Sequence, residues 1–405
     1  MWKKYRNQKE LNLHSGYFLC EFGRAMYFVV ISWLLFELTN DPLQTGVLVS
    51  LGFIPGLLLN LVFGVIVDRF NRKKLAVSAI AIMATTMTLL YISIVYQFVT
   101  PAIIFAVHMI VQLMGSLFRP SIQAFIAEVF EKVELPRIYS KVSAASTVGG
   151  LVGASLGGVM IGLFSEGVSI LVVSCSLYLA VLMLAFVKAT MPIKTTITKN
   201  SAFSDLVDGF HYLKNNQVLY SLFGTMFIGQ LVFHSSIGFL SVYTVEHLGQ
   251  EAAVYGFLDA TISLGGILAG VLGAWWWSKN KNYLSIRSFF IVFAGLLVFI
   301  LTDYLPFIFI GAFLVGIGTT WIRILLQSVQ LIATDGNYHG RMASYRILCN
   351  QGSVVISGPI LGLIAANYGS QYVYGALLCP VAIGVFLSIK QSKQPVFKEI
   401  TSKAA

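Results

Sequence analysis

The chain has 405 residues, of which 57% are apolar and only 11% are charged, and its mean hydropathy is +0.80. A soluble protein of this length needs far more charge to cover its surface, and disorder, collagen, a coiled coil and a disulfide-stapled module fail on the same figures. The formal net charge of +10 would suggest a nucleic-acid partner in a soluble chain, but its distribution along this one fits a membrane protein and no nucleic acid.

Taken in chain order, the apolar runs predict twelve helical spans, at 13–38, 44–67, 75–96, 101–128, 140–163, 168–189, 217–240, 252–276, 284–302, 305–331, 341–366 and 370–390. A helical span takes roughly 20 apolar residues, so the remainder allows short loops and no separate soluble domain. The first run carries Glu21 and Arg24 and is read as a retained span rather than a cleaved leader. Cys20, Cys175, Cys349 and Cys379 all lie in apolar stretches without a C-x-x-C or Cys/His cluster, so no metal site, cofactor or disulfide framework is indicated.

Lys and Arg mark one side of the membrane. The N-terminus, the even-numbered loops and the C-terminal tail hold 23 of the 27 basic residues, and the odd-numbered loops hold none. The positive-inside rule then puts both termini in the cytoplasm of a multi-pass cell-membrane protein.

The chain also repeats. A shift of 205 residues superposes Gly153 on Gly358, Gly157 on Gly362 and Lys141 on Arg346, and segment 50–75 echoes 259–284. Two pseudo-symmetric six-helix bundles are expected, 1–189 and 217–405, the second including the cytoplasmic tail. Such repeats place a substrate site near the midplane where the halves meet. The linker 190–216 contains Phe203, Leu206, Val207, Phe210 and Leu213 at helical spacing, which predicts an amphipathic helix on the cytoplasmic membrane surface.

Residues 64–74 read GVIVDRFNRKK. Gly64, Asp68, Arg69, Arg72 and Lys73 resemble the loop signature of the major facilitator superfamily, with Asn71 where the family usually has Gly. Asp68 sits at a helix C-terminus, where an anion is disfavoured. It needs a basic partner, such as Arg72, Arg69 or another helix end, and an ion pair formed in one conformation only is a latch. GGLVGASLGG in the fifth span resembles the superfamily's glycine-rich antiporter motif, with Ala154 in place of its Pro. Gly149, Gly153 and Gly157 share one face and are expected to let the two halves slide in close contact. Gly358, Pro359 and Gly362 are the equivalents in span eleven. The stretches LTNDPLQTGVLVSLGFIPGLLLNLVFGVIVDRF, LFRPSIQAFIAEVF and DLVDGFHYLKNN are similar to the branch holding macrolide-efflux and enterobactin-exporter proteins. The resemblance implies the major facilitator fold and export over import; it transfers no substrate, and a siderophore or a drug is an example of a small amphiphilic cargo.

Charges inside the spans carry the site expectations. A charged group there costs about 2.5–3.5 kcal/mol or more and faces the bundle interior or a wet cavity. Arg24, Arg119 and Arg323 are the expected substrate-binding groups of a central cavity, and Arg346 is expected to snorkel to the interface. Arg24 follows Glu21 by three residues, so the two can pair. Asp259 and Glu21 are the carboxylates well inside spans, and low dielectric favours the protonated form of a carboxyl group, so both are expected proton-coupling sites, Asp259 first. Three arginines against two acids favour an anionic or zwitterionic substrate. Trp275, Trp276 and Trp277 are read as an interfacial belt ending span eight. His108 and His234 are read as packing residues.

No nucleotide-binding loop and no convergent catalytic group occur, so neither an ATP-driven pump nor an enzyme is expected. The favoured reading is a monomeric secondary transporter in the lipid bilayer. It exports a small amphiphilic molecule by proton antiport and alternating access. The alternatives are an importer of a small anionic metabolite or siderophore, and a receptor or assembly subunit that transports nothing.

Overall fold

The computed structural model describes residues 2–131, 133–187, 202–335 and 338–403. These are helical throughout, with no strand among them. The first half runs α1 (Trp2–Thr39), α2 (Pro42–Leu51), α3 (Ile54–Arg69), α4 (Arg72–Val95), α5 (Pro101–Val129), α6 (Leu135–Leu163) and α7 (Glu166–Ala185). After the linker helix α8 (Ala202–Asn215) come α9 (Gln217–Gly238), α10 (Leu240–Val242) and a π-turn at Tyr243–His247. Then follow α11 (Ala252–Val271), α12 (Gly273–Asn280), α13 (Leu284–Leu301), α14 (Leu305–Ala333), α15 (His339–Tyr368), α16 (Gln371–Ser392) and α17 (Pro395–Lys403). Twelve stretches of helix are long and apolar enough to cross a membrane.

Helices start where short polar residues interrupt the apolar runs. Asp41, Asn71, Ser165 and Asn216 each accept a hydrogen bond from a backbone N–H of the first turn, at 2.9–3.2 Å. Those N–H groups have no partner inside the helix, and a side-chain oxygen supplies it. Asn71 has φ −64°, a conformation open to any residue, so Asn in place of the usual Gly costs this turn nothing. The second span is broken at Gly52–Phe53. Pro55 follows at once, has no N–H to give and would clash with the preceding turn. The eighth span is broken at Leu272, which puts the Trp275–Trp277 triplet in α12.

The described helices group into two compact units. One holds α1, α3–α7 and Glu251–Ala260 from the start of α11. The other holds Asp41–Phe53 with α2, then α8–α10, the remainder of α11 and all that follows. Each unit thus contains one segment from the opposite half of the sequence.

Glycine sets the closest approaches. The Gly149, Gly153 and Gly157 face packs on α1 of its own half rather than on a helix of the other half. A Cβ at Gly149 would stand 2.6 Å from Phe18 O, one at Gly153 would stand 2.2 Å from Phe22 O, and one at Gly157 would stand 3.1 Å from Val29 Cβ. The neighbouring face meets α11, where a Cβ on Gly158 would lie 2.2 Å from Ala252 O and one on Gly256 would lie 3.0 Å from Ala154 O. In the second unit, a Cβ at Gly358 would stand 2.5 Å from Gly46 O and one at Gly362 would stand 3.0 Å from Leu43 Cα. By packing partner, then, Ala154 and Gly158 correspond to Gly358 and Gly362. The repeat registers one residue away from the shift read in the sequence, which is about 100° of helix rotation.

Two surface helices dock on the second unit. On α8, Tyr212 stacks on Tyr338 with centroids 3.9 Å apart and planes 7° from parallel, and its hydroxyl accepts from Asp335 N at 3.1 Å. Asp208 pairs with Arg341 and accepts from Tyr338 Oη at 3.4 Å. The described part of α8 is therefore held by the ends of α14 and α15. Phe203, Leu206 and Val207 lie outside the described side chains. On α17, Phe397 is fully buried and Thr401 O accepts from Trp277 Nε1 at 3.1 Å. Trp276 stacks on Trp321 at 3.9 Å, so of the triplet Trp275 alone is exposed. The expected interfacial belt is largely a packing core for the C-terminal helix.

Gly153→Ala is expected to lower the melting temperature in detergent by several degrees, because overpacking costs about 1–3 kcal/mol. Gly150→Ala, at a position with nothing within 4 Å, is expected to leave it unchanged. Equal melting of the two variants would contradict this packing.

Candidate functional site

In the first unit the site is built where α1 faces α5. Arg24 Nη1 donates to Glu21 Oε1 at 3.2 Å, one turn back on the same helix. The pair is largely buried, with side-chain exposures of 16% and 14%. Room for the guanidinium comes from Gly115 on α5, where a Cβ would stand 3.3 Å from Arg24 Nη2. Arg119 follows one turn later on α5. Its side chain is exposed, and it makes no hydrogen bond or ion pair among the described residues. Phe118 beside it packs on Tyr17 with ring centroids 5.9 Å apart. Arg24 and Arg119 thus belong to one neighbourhood, in which Arg24 is neutralised.

Asp259 lies in the same unit on α11. It is 7% exposed and has no hydrogen bond or ion pair among the described residues. Tyr255, one turn earlier, is fully buried and stacks with Trp33 of α1, centroids 6.4 Å apart. The hydroxyls of Tyr255 and Ser32 are buried beside one another. The surroundings of Asp259 are therefore polar, and no cation pairs with it among the described residues.

Arg323 lies in the second unit on α14, with its side chain exposed between buried neighbours. Arg346, expected to snorkel, is half-buried and has a partner within the unit. Its Nη1 donates to Oε1 of Gln330 at 3.2 Å, and Gln330 is fully buried. That amide lies two helical turns beyond Arg323 on α14. His108 accepts or donates at Nδ1 to Tyr27 Oη at 3.0 Å, and His234 packs between Phe53 and Phe233.

At the loop after α3, Gly64 and Asp68 lie outside the described side chains, and Arg69 is exposed. Arg72 and Lys73 have partners that the sequence reading missed. Arg72 Nη1 donates to Glu128 Oε1 at 2.9 Å. Arg72 is a cation at the N-terminus of α4 and Glu128 an anion at the C-terminus of α5, so each opposes its own helix dipole and offsets the other. Lys73 Nζ donates to Ala185 O at the end of α7, at 2.5 Å, where a cation is favoured. Glu10 was missed too, although it accepts from Arg137 at 2.5 Å and from Lys141 at 3.2 Å and ties α1 to the start of α6.

A helical chain with twelve candidate spans, buried charges and a basic loop between α3 and α4 can be compared with known proteins. A sequence model of the Major Facilitator Superfamily matches residues 13–331. The chain belongs to that superfamily. It is a multi-pass membrane transporter. Among relatives, it is 26% identical over 367 residues to a "Multi-drug resistance efflux pump PmrA homolog" of Lactococcus lactis, covering 86% of this chain and 84% of the relative. It is 24% identical over 392 residues to "Multidrug resistance protein MdtG" of Proteus mirabilis, covering 92% and 93%. The solved structure of the nucleoside transporter NupG superposes with a TM-score of 0.78 at 13% identity, over 95% of this chain and 99% of that one. At that identity the likeness shows the fold alone.

Glu128→Gln is expected to destabilise the transporter by on the order of 1–2 kcal/mol, between the values for exposed and buried pairs. Thermal unfolding in detergent checks this. Melting unchanged from wild type would mean that the Arg72–Glu128 contact contributes nothing.

Proposed function

We propose that this transporter exports a small amphiphilic organic molecule by proton antiport, working by alternating access in the cell membrane with both termini in the cytoplasm. Two six-helix halves, 1–189 and 217–405, are its moving bodies, and it works as a monomer. The single observation that carries the reading is Asp259, a buried carboxyl inside a span with no cation beside it among the described residues. An ionised carboxylate in such a place is costly unless paired, whereas a protonated one is a neutral hydrogen-bonding group. Protonation and release at Asp259 therefore change the free energy of one conformation against another, as coupling requires.

Glu21, the other carboxyl considered, is engaged by Arg24 and serves in this reading as a counter-ion. Export over import is supported by the relatives named for multidrug efflux. Lys and Arg on the termini and even-numbered loops support the orientation.

The test is transport of a fluorescent dye in proteoliposomes. Asp259→Asn is expected to abolish uphill efflux driven by a pH gradient while dye-for-dye exchange continues. Uphill transport at the wild-type rate in Asp259→Asn would remove this residue from coupling.

A further inference from the structure

Two arginines of the second unit, one on α14 and one braced against the same helix, have no acid paired with them among the described residues. Arg323 stands ten residues before the end of α14 at Ala333, about 15 Å along the axis at 1.5 Å per residue. Neither Arg323 nor Arg346 of α15 has an ion pair among the described residues.

Arg346 is held in place. Gln330 Oε1 accepts from it at 3.2 Å, Gln330 Nε2 reaches Thr334 Oγ1 at 3.4 Å, and Thr334 Oγ1 in turn donates to Gln330 O at 2.6 Å. Gln330 follows Arg323 by seven residues, so the two share one face of α14. The brace therefore brings Arg346 to the face that carries Arg323. One turn beyond Arg346, Asn350 has a buried Oδ1 with no partner, which can accept from a hydroxyl or N–H of a bound molecule.

Two like charges in a low-dielectric span repel, and the half-buried Arg346 also loses hydration. An arginine with a purely structural role would be expected to have a neutralising partner, as Arg24 has in Glu21. An oxyanion between the two groups would offset both costs, and the guanidinium fork matches carboxylate, phosphate and sulfate oxygens.

We propose that Arg323 and Arg346 form a two-pronged oxyanion site, with Gln330 as the positioning residue for Arg346, and that it takes an amphiphile with an anionic head. As the cargo site, it rests on the transport reading above. Its test needs no gradient, so failure to bind and failure to transport are separate results.

The experiment measures fluorescence anisotropy of carboxyfluorescein, and of a cationic rhodamine with the same ring system, on the purified full-length chain in detergent. Carboxyfluorescein should bind at least about tenfold more tightly than the rhodamine. Arg346→Gln and Arg323→Gln should each weaken it about tenfold, the effect of one charge-assisted contact, with rhodamine affinity little changed. Arg346→Lys should recover part of the loss, which separates charge from misfolding. Gln330→Ala, which keeps both charges, should weaken carboxyfluorescein about threefold, within the usual effect of one hydrogen bond. Phosphatidylglycerol added to the micelles should not displace the dye, and displacement would assign the site to a lipid headgroup and overturn the cargo assignment. The proposal also fails if wild type does not bind carboxyfluorescein, if it binds the rhodamine as tightly, or if Arg346→Gln binds carboxyfluorescein like wild type.

Discussion

A charge inside the hydrocarbon layer must be neutralised, or it must repay its cost through what it does. Ionisable groups at the helix ends and within the spans of this transporter divide in the same way. Glu21 with Arg24, Arg72 with Glu128, and Glu10 with Arg137 and Lys141 are ion-paired and join helix to helix or turn to turn. Among the described residues, Asp259 and Arg323 have no ion pair. Paired groups gain Coulomb energy and hydrogen bonds that repay desolvation. Groups without such repayment are the ones on which a proton or an anion has most to gain.

Close backbone approach is the second constraint. The helices of each unit come so near that a single Cβ at Gly153 or Gly358 would meet a neighbouring oxygen atom. In a membrane, packing and interhelical hydrogen bonds replace the hydrophobic effect as the force holding helices together. Small residues therefore decide which faces meet. Two stripes of small residues run along α6, one against α1 and the other against α11, and on α15 one runs against α2.

Much of the fold was legible because hydropathy and capping are local. The twelve runs and the Glu21–Arg24 pair at i, i+3 lie within a few residues of the signal that reveals them, and the caps at Asp41, Asn71, Ser165 and Asn216, though not read from the sequence, are local too. What escaped was long-range or degenerate. Arg72 and Glu128 are 56 residues apart, and neither advertises the other. Gln330 looks like any polar residue in a span until Arg346 is seen beside it. Gly157 and Gly158 are adjacent, so the repeat could be aligned on either, and the wrong choice assigned the wrong face. The Trp triplet matched the composition of an interfacial belt, and nothing local showed that Thr401 would cover Trp277.

The division between paired and unpaired charge can be measured directly as melting temperature in one detergent for Glu21→Gln, Arg24→Gln, Asp259→Asn and Arg323→Gln. Breaking a pair strands a charge, so the first two should melt clearly below wild type. Removing a charge that had no partner strands nothing, so Asp259→Asn and Arg323→Gln should melt at or above wild type. If these two melt as far below wild type as Glu21→Gln, those charges are structural and the account is wrong.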